Sequence, residues 1–169
     1  LPDRSYESFA PGSDQALIAG MLALRRVTPL IVGLTTRGDG ELRRVHPPLI
    51  AAATAAGAAL FVEDADGRIR RYDDRLAVDG GRVPTLVGEV AHALGATAPP
   101  GGLQYALGAG FDDIPLWQVL AWHEAGDNEA LARTFRGKTV FVGYVLPHED
   151  LKRQPVALVR GDAGADRDV

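Results

Sequence analysis

Four histidines, His46, His92, His123 and His148, are the first residues to weigh as metal ligands or proton carriers. No two of them stand at metal-ligand spacing. His123-Glu124 opens like a zinc-protease helix, but position 127 is Asp, so the second imidazole of that helix face is missing. His148-Glu149-Asp150 forms a polar cluster just after an expected strand, where α/β folds place many binding sites. A solvated loop is the plainer account of it. The segment Ala132 to Thr139, with Gly137-Lys138-Thr139, approaches a phosphate-binding loop. That loop needs a strand before it and a helix after it, so that free N–H groups point at the anion. Here the order is helix then strand, and Phe135 and Arg136 occupy positions that need small residues.

Asp64-Ala65-Asp66-Gly67 begins like a calcium loop, but Arg68 and Ile69 stand where an oxygen ligand and the obligatory glycine belong. An Asp-Gly pair that turns a hairpin is the simpler account. Ser5, Ser8 and Ser13 are the only serines, and none sits in a nucleophile elbow. Arg160-Gly161-Asp162 spells an adhesion tripeptide in a polar tail and is attributed to chance. Asp112 and Asp113 are adjacent, so their side chains generally diverge, and no partner acid can be assigned to either. Trp117 and Trp122 are five residues apart on one expected helix, which puts one toward a core and leaves the other partly exposed. No catalytic set, metal site or cofactor site emerges.

Two arginines offer a ligand-binding hypothesis. Arg70 and Arg71 lie on an alternating strand and face opposite sides, so at most one can hold an anion in a cleft. Solvation, or pairing with Asp73 and Asp74, is the plainer expectation. With His148, these form the candidate ligand-binding set.

The elements that position these residues follow from periodicity. Ser13 is expected to cap a helix from Asp14 to about Arg26, with Leu17, Ile18, Met21, Leu22 and Leu24 as its apolar stripe. Leu30 to Leu34 reads as a buried strand, and Arg37 to Gly40 as a turn. His46-Pro47-Pro48 opens a helix expected over Leu49 to Ala56 and closed by Gly57. Ala59 to Val62 and Arg68 to Tyr72 form one hairpin, and Leu76 to Val78 with Arg82-Val83 a second. A helix covers Pro84 to Leu94, and Leu103 to Leu107 reads as a strand. A helix starts at Ile114-Pro115 and breaks at Gly126, another spans Asn128 to Phe135, and a strand spans Lys138 to Val145. Interleaved strands and helices define an α/β class, a single domain with a mixed sheet, flanking helices and at least one β-hairpin. Residues 1–12 read as a flexible lead-in, 13–158 as the domain, and 159–169 as a disordered tail.

The bulk composition sets the bounds. The chain has 169 residues, one domain's worth, and that length buries a sizeable core without staples. A net charge of −4, with 16 Arg and 2 Lys scattered and no basic run, argues against nucleic acid. Without cysteine there is no disulfide, zinc ribbon or thiol chemistry. No apolar run approaches the roughly 20 residues of a membrane span. The chain starts at Leu1 and is expected to be a processed or excised piece of a longer protein.

These segments resemble the CHASE type-two sensor domain. Gly57 to Tyr72, with its Asp64-Ala65-Asp66-Gly67-Arg68-Ile69-Arg70-Arg71 core, is similar to that family's strand, D-x-D-G-x-x-R turn and second strand. Gly137-Lys138-Thr139-Val140-Phe141-Val142-Gly143 looks like its late G-K-x-V-x-[IV]-G strand. Asp14 to Leu17, Pro47, Gly57, Val83 to Leu86 and Ile114-Pro115 occupy the expected order. The family's opening β-α segment and its G-[VI]-E-[VI]-H-A ending have no counterpart, so the domain is expected to be partial at both ends. The resemblance implies a bacterial sensor outside the cytoplasmic membrane, tethered by transmembrane helices in its parent. It also implies coupling to histidine kinase, nucleotide cyclase or serine/threonine kinase outputs. The partner would be a small molecule or a periplasmic or extracellular protein, with a homodimer as a further expectation. A protein-interaction module without a small ligand, and an α/β enzyme with an unrecognised carboxylate site, stand as alternatives.

Overall fold

The computed structural model describes residues 2–36, 41–78, 81–97, 99–103 and 112–143. They fall into two compact units, one within residues 2–103 and one within 112–143. The class is mixed α/β with antiparallel hairpins, as the periodicity predicts.

The first unit opens with helix α1, Ser13–Arg25. Its start differs from expectation. Ser13 lies inside the helix with its hydroxyl buried and without a partner among the described residues, and the N-cap is Gly12 in the left-handed region at φ 83°. The Glu7 carboxylate reaches the helix end instead, accepting from the amides of Gly12, Asp14 (3.0 Å) and Gln15 (3.4 Å). Asp14 answers by accepting from the Tyr6 amide at 3.1 Å. An anion at this end satisfies free N–H groups and complements the helix dipole better than a hydroxyl does. The buried stripe is narrower than the expected one. Met21 is buried and Ile18 packs beside it, whereas Leu17, Leu22 and Leu24 stay exposed.

Strand β1, Ile31–Leu34, helix α2, Pro47–Ala52, and strand β2, Ala55–Ala58, form a parallel β-α-β unit. Its register runs from Ile31 opposite Ala55 to Leu34 opposite Ala58. The helix expected to continue to Ala56 therefore stops at Ala52, and Gly57 is a strand residue rather than a helix terminator. Alanine favours helix intrinsically, but here the strand ladder with β1 satisfies the same backbone groups, and tertiary pairing overrides propensity. Arg25 closes α2 from outside, donating to the carbonyls of Ala51 (2.9 Å) and Ala53 (3.0 Å). Leu49 is fully buried at the centre of a core made with Met21, Val32, Ala52 and Ala53.

Strands β3, Val62–Glu63, and β4, Ile69–Tyr72, form the first hairpin, with a bulge between Val62 and Glu63. The first arm was expected over Ala59 to Val62. Ala59 instead donates to the Leu34 carbonyl at 2.7 Å, extending the β1 edge, and this moves the hairpin toward the turn. Strand β5, Arg75–Val78, pairs with β6, Gly81–Pro84, as the second hairpin. Helix α3, Leu86–Ala93, follows from Thr85 and ends before Gly95, which takes φ 71°. Strand β7, Gly101–Gly102, pairs antiparallel with β4. Strand β7 precedes the strand expected over Leu103 to Leu107, of which residues 104–107 lie outside the described residues.

The second unit is a helix pair. Helix α4, Leu116–Glu124, starts after Pro115, and helix α5, Asn128–Phe135, is capped by the Asp127 carboxylate accepting from the Ala130 amide at 2.9 Å. Gly126, at φ 66°, makes the turn between them. The strand expected over Lys138 to Val145 is not formed over 138–143. Val140, Phe141 and Val142 are exposed there, and none of the described strands pairs with them. Alternating β-formers make a strand only where a partner ladder takes their N–H and C=O groups. Positions 144 and 145, the turn at 37–40 and the tail at 159–169 lie outside the described residues.

Candidate functional site

The β3–β4 turn owes its shape to Gly67, at φ 73°, and to the Asp64 and Gly67 amides, which donate to the carbonyls of Arg68 and Asp64, both at 2.8 Å. This geometry brings Asp64 and Asp66 back over the arginines of β4. Arg70 forks onto Asp66, at 2.8 and 2.7 Å, and its first nitrogen also reaches Asp64 at 3.0 Å. Arg71 takes the other Asp64 oxygen at 2.6 Å.

Neighbours on a strand, Arg70 and Arg71 nevertheless converge on one carboxylate, because Asp64 sits at the strand end within reach of both long side chains. Their partners are Asp64 and Asp66, not the expected Asp73 and Asp74. Asp73 meets Arg82 instead, at 3.2 Å. The Arg70 guanidinium holds Asp66 down at about 2, and Arg70 with Arg71 holds Asp64 below the ordinary carboxylate range. Arg70 is raised in turn by Asp66 and Asp64. Guanidiniums engaged in this way order the hairpin.

A second polar junction lies where β4 leads toward α3. Thr85 is buried, and its hydroxyl accepts from the Gly88 amide at 3.0 Å while facing the carbonyls of Asp73 (3.1 Å) and Asp74 (3.2 Å). Ala58 bridges to Thr85 in parallel, so this junction also touches the end of β2. The sequence signal for it was a Thr directly before an apolar-periodic run, the ordinary mark of a helix N-cap. Placing the helix start at Pro84 passed over it. Tyr72 lies beside the junction. Its hydroxyl is buried beside Thr85, and burial pushes its phenol above the ordinary value.

The other candidates are dispersed. His148, with Glu149 and Asp150, lies outside the described residues. Among the described residues no group of three His, Asp or Glu side chains could hold a metal ion. Asp112 lies 3.9 Å from Lys138, an acid facing an ammonium rather than a second acid. Trp117 is exposed and Trp122 half-buried. Among the described residues no helix is long and apolar enough to cross a membrane.

The described residues form a mixed α/β module in which several surface acids face bases. The family model of the CHASE2 domain matches residues 2–163, nearly the whole chain, and the chain belongs to that family. CHASE2 domains are extracytoplasmic sensory domains of signal transduction and are not themselves catalytic. No curated protein and no solved structure matches the chain.

Proposed function

We propose that this chain is the sensory input domain of a bacterial membrane-bound receptor, held outside the cytoplasmic membrane and coupled to a kinase or nucleotide cyclase output. The match to the CHASE2 domain over residues 2–163 carries this reading. The domain acts by binding a stimulus differently in two receptor states, which shifts their populations. The stimulus is a small molecule or an extracytoplasmic protein, nucleic acid is not a partner, and the chain performs no chemistry of its own.

The absence of cysteine from the sequence allows a direct test. Glu129→Cys places one thiol at a side chain that is 90% exposed. In a parent protein with no other cysteine, a membrane-impermeant maleimide should label it in intact cells. Labelling only after lysis would overturn the extracytoplasmic placement. Deleting the domain should change output activity, and an unchanged output would remove the sensory role.

One observation favours an added role in self-association. Leu116, Trp117 and Leu120 on α4 are all exposed, and residues three and four apart share a helix face. A homodimer through α4 would bury them. Trp117→Ser should then shift the sedimentation coefficient to that of a monomer, and an unshifted value would exclude α4 as the interface.

A further inference from the structure

Residues 2–12 lie on the first unit as a strap held by polar bonds. Glu7 accepts from the amides of Gly12, Asp14 and Gln15, and Asp14, itself buried, accepts from the Tyr6 amide at 3.1 Å. Farther out, the Pro2 carbonyl accepts from the amide of His46, the residue that precedes α2, at 2.9 Å. The two aromatic side chains of the strap add little, because Tyr6 and Phe9 are 50% and 79% exposed. A segment held by a few hydrogen bonds over little buried apolar surface opens at a lower free energy than the core beside it.

The seated strap leaves one group unsatisfied. The Ser13 hydroxyl is buried at the first residue of α1, without a partner among the described residues. Such a hydroxyl is destabilising, and native structures rarely leave one unexplained. Serine is also among the best N-cap residues, but only from extended backbone ahead of the helix, where its oxygen accepts from the second or third helical amide. For a Ser13 cap those amides belong to Gln15 and Ala16. Glu7 already takes the Gln15 amide at 3.4 Å, and the Ala16 amide donates to the Gly12 carbonyl at 3.0 Å. One cap therefore excludes the other.

We propose that α1 has two alternative N-caps, and that exchange between them fastens or frees residues 2–12. In the fastened state Glu7 caps a helix that starts at Ser13, and the strap reaches the start of α2 through Pro2. In the freed state the helix starts at Asp14, Ser13 turns to extended backbone and caps it, and Asp14 exchanges the Tyr6 amide for water. The hydroxyl that is unsatisfied in the first state gains its partner in the second, which offsets part of the loss of the strap bonds. The core around Leu49 and Met21 is common to both states. Use of this exchange as a relay for a stimulus rests on the sensory reading above, whereas the exchange itself can be measured on the chain.

The test is a double-mutant cycle on the 169-residue chain with Glu7→Ala and Ser13→Ala. Ser13→Ala alone removes the unpartnered hydroxyl and should leave the urea midpoint unchanged or raise it. In the Glu7→Ala background the hydroxyl is the cap, so the same substitution should lower the midpoint. NMR of Glu7→Ala reports the state directly. The carbon shifts of Ser13 should move from helical to extended values, and amide exchange at Tyr6 and His46 should quicken by about tenfold or more as the strap leaves.

An equal effect of Ser13→Ala in both backgrounds, or Ser13 shifts that stay helical in Glu7→Ala, would overturn the proposal. Should the double variant fail to fold, the Ser13 shifts and the His46 exchange rate in Glu7→Ala decide alone. In the parent receptor Glu7→Ala should change output activity, and an output that responds to deletion of the domain but not to Glu7→Ala would overturn the relay role and keep the sensory one. The expected cycle together with maleimide labelling only after lysis would keep the two caps and sink the extracytoplasmic placement. Surface labelling without the expected cycle would do the reverse.

Discussion

The backbone carbonyl of Asp74 receives Thr85 twice, from the amide at 2.8 Å and from the hydroxyl at 3.2 Å. These bonds tie the link after β4 to the first turn of α3. The same hydroxyl caps the helix by accepting from Gly88, so one buried side chain serves a strand end and a helix start together.

Thr85→Val keeps the shape of the side chain and removes both roles of its oxygen. A lost cap and a buried amide left without an acceptor together cost about 1–2 kcal/mol. Urea unfolding should show that loss as a lower midpoint at unchanged slope. Thr85→Ser should retain most of the stability, because the hydroxyl remains.

Two glycines should respond in opposite directions. A Cβ on Gly57 would lie 2.5 Å from the Thr85 carbonyl oxygen and 2.6 Å from the Leu86 nitrogen, both backbone atoms that cannot step aside. Gly57→Ala is expected to lower stability by about 3 kcal/mol or to prevent folding. Gly20 lies within α1, exposed and with open space around it, so Gly20→Ala should add about 0.5–1 kcal/mol. Thermal melts of the two variants would check the sign of each.

Acid should loosen the β3–β4 hairpin. The carboxyl of Asp66 falls from 3.8 to about 2 on folding, through its hydrogen bonds to Arg70. A depressed carboxyl contributes stability that is present above its unfolded value and disappears as pH falls toward the folded one. The loss therefore belongs to the window from about pH 4 to pH 2, and stability near neutral pH should not depend on it. Asp66→Asn should flatten the pH dependence of the urea midpoint within that window. Added salt should narrow the gap between wild type and variant, because the pair is at the surface.

The core centres on Leu49, whose side chain has no exposed surface. Leu49→Ala should cost about 2–5 kcal/mol, from lost burial and the cavity left behind. Leu24→Ala, on the exposed side of α1, should change stability by about 0.5 kcal/mol or less. Similar effects from both would mean that the narrow Ile18–Met21 contact of α1 is misassigned.

Much of this architecture was legible locally. The Asp-Gly turn at Asp66-Gly67, the glycines after α3 and α4, and the helical stretches of α1 and α5 all depend on signals within a few residues, so sequence neighbours suffice to specify them. The same holds for the order of short segments from Asp14 to Gly143 that resembles the family the chain belongs to. Where two conformations were locally acceptable, local signals pointed the wrong way. Ala51 to Gly57 suits a helix until β1 offers a ladder to Ala55–Ala58. Lys138 to Gly143 suits a strand, yet no described strand takes its backbone groups.

Arg70 and Arg71 were recognisable as candidate ligands from sequence, but their counter-ions were not. Asp73 and Asp74 are nearer along the chain, and only the bulge and turn bring Asp64 and Asp66 back onto β4. By itself the sequence determined the α/β class, the hairpins, most helix ends and the family, because each depends on residue types at short spacing. Tertiary structure alone decided which acid meets which base and why Gly57 must lack a side chain. Those relations join residues far apart in the chain, and their energies exist only once the backbone has brought them together.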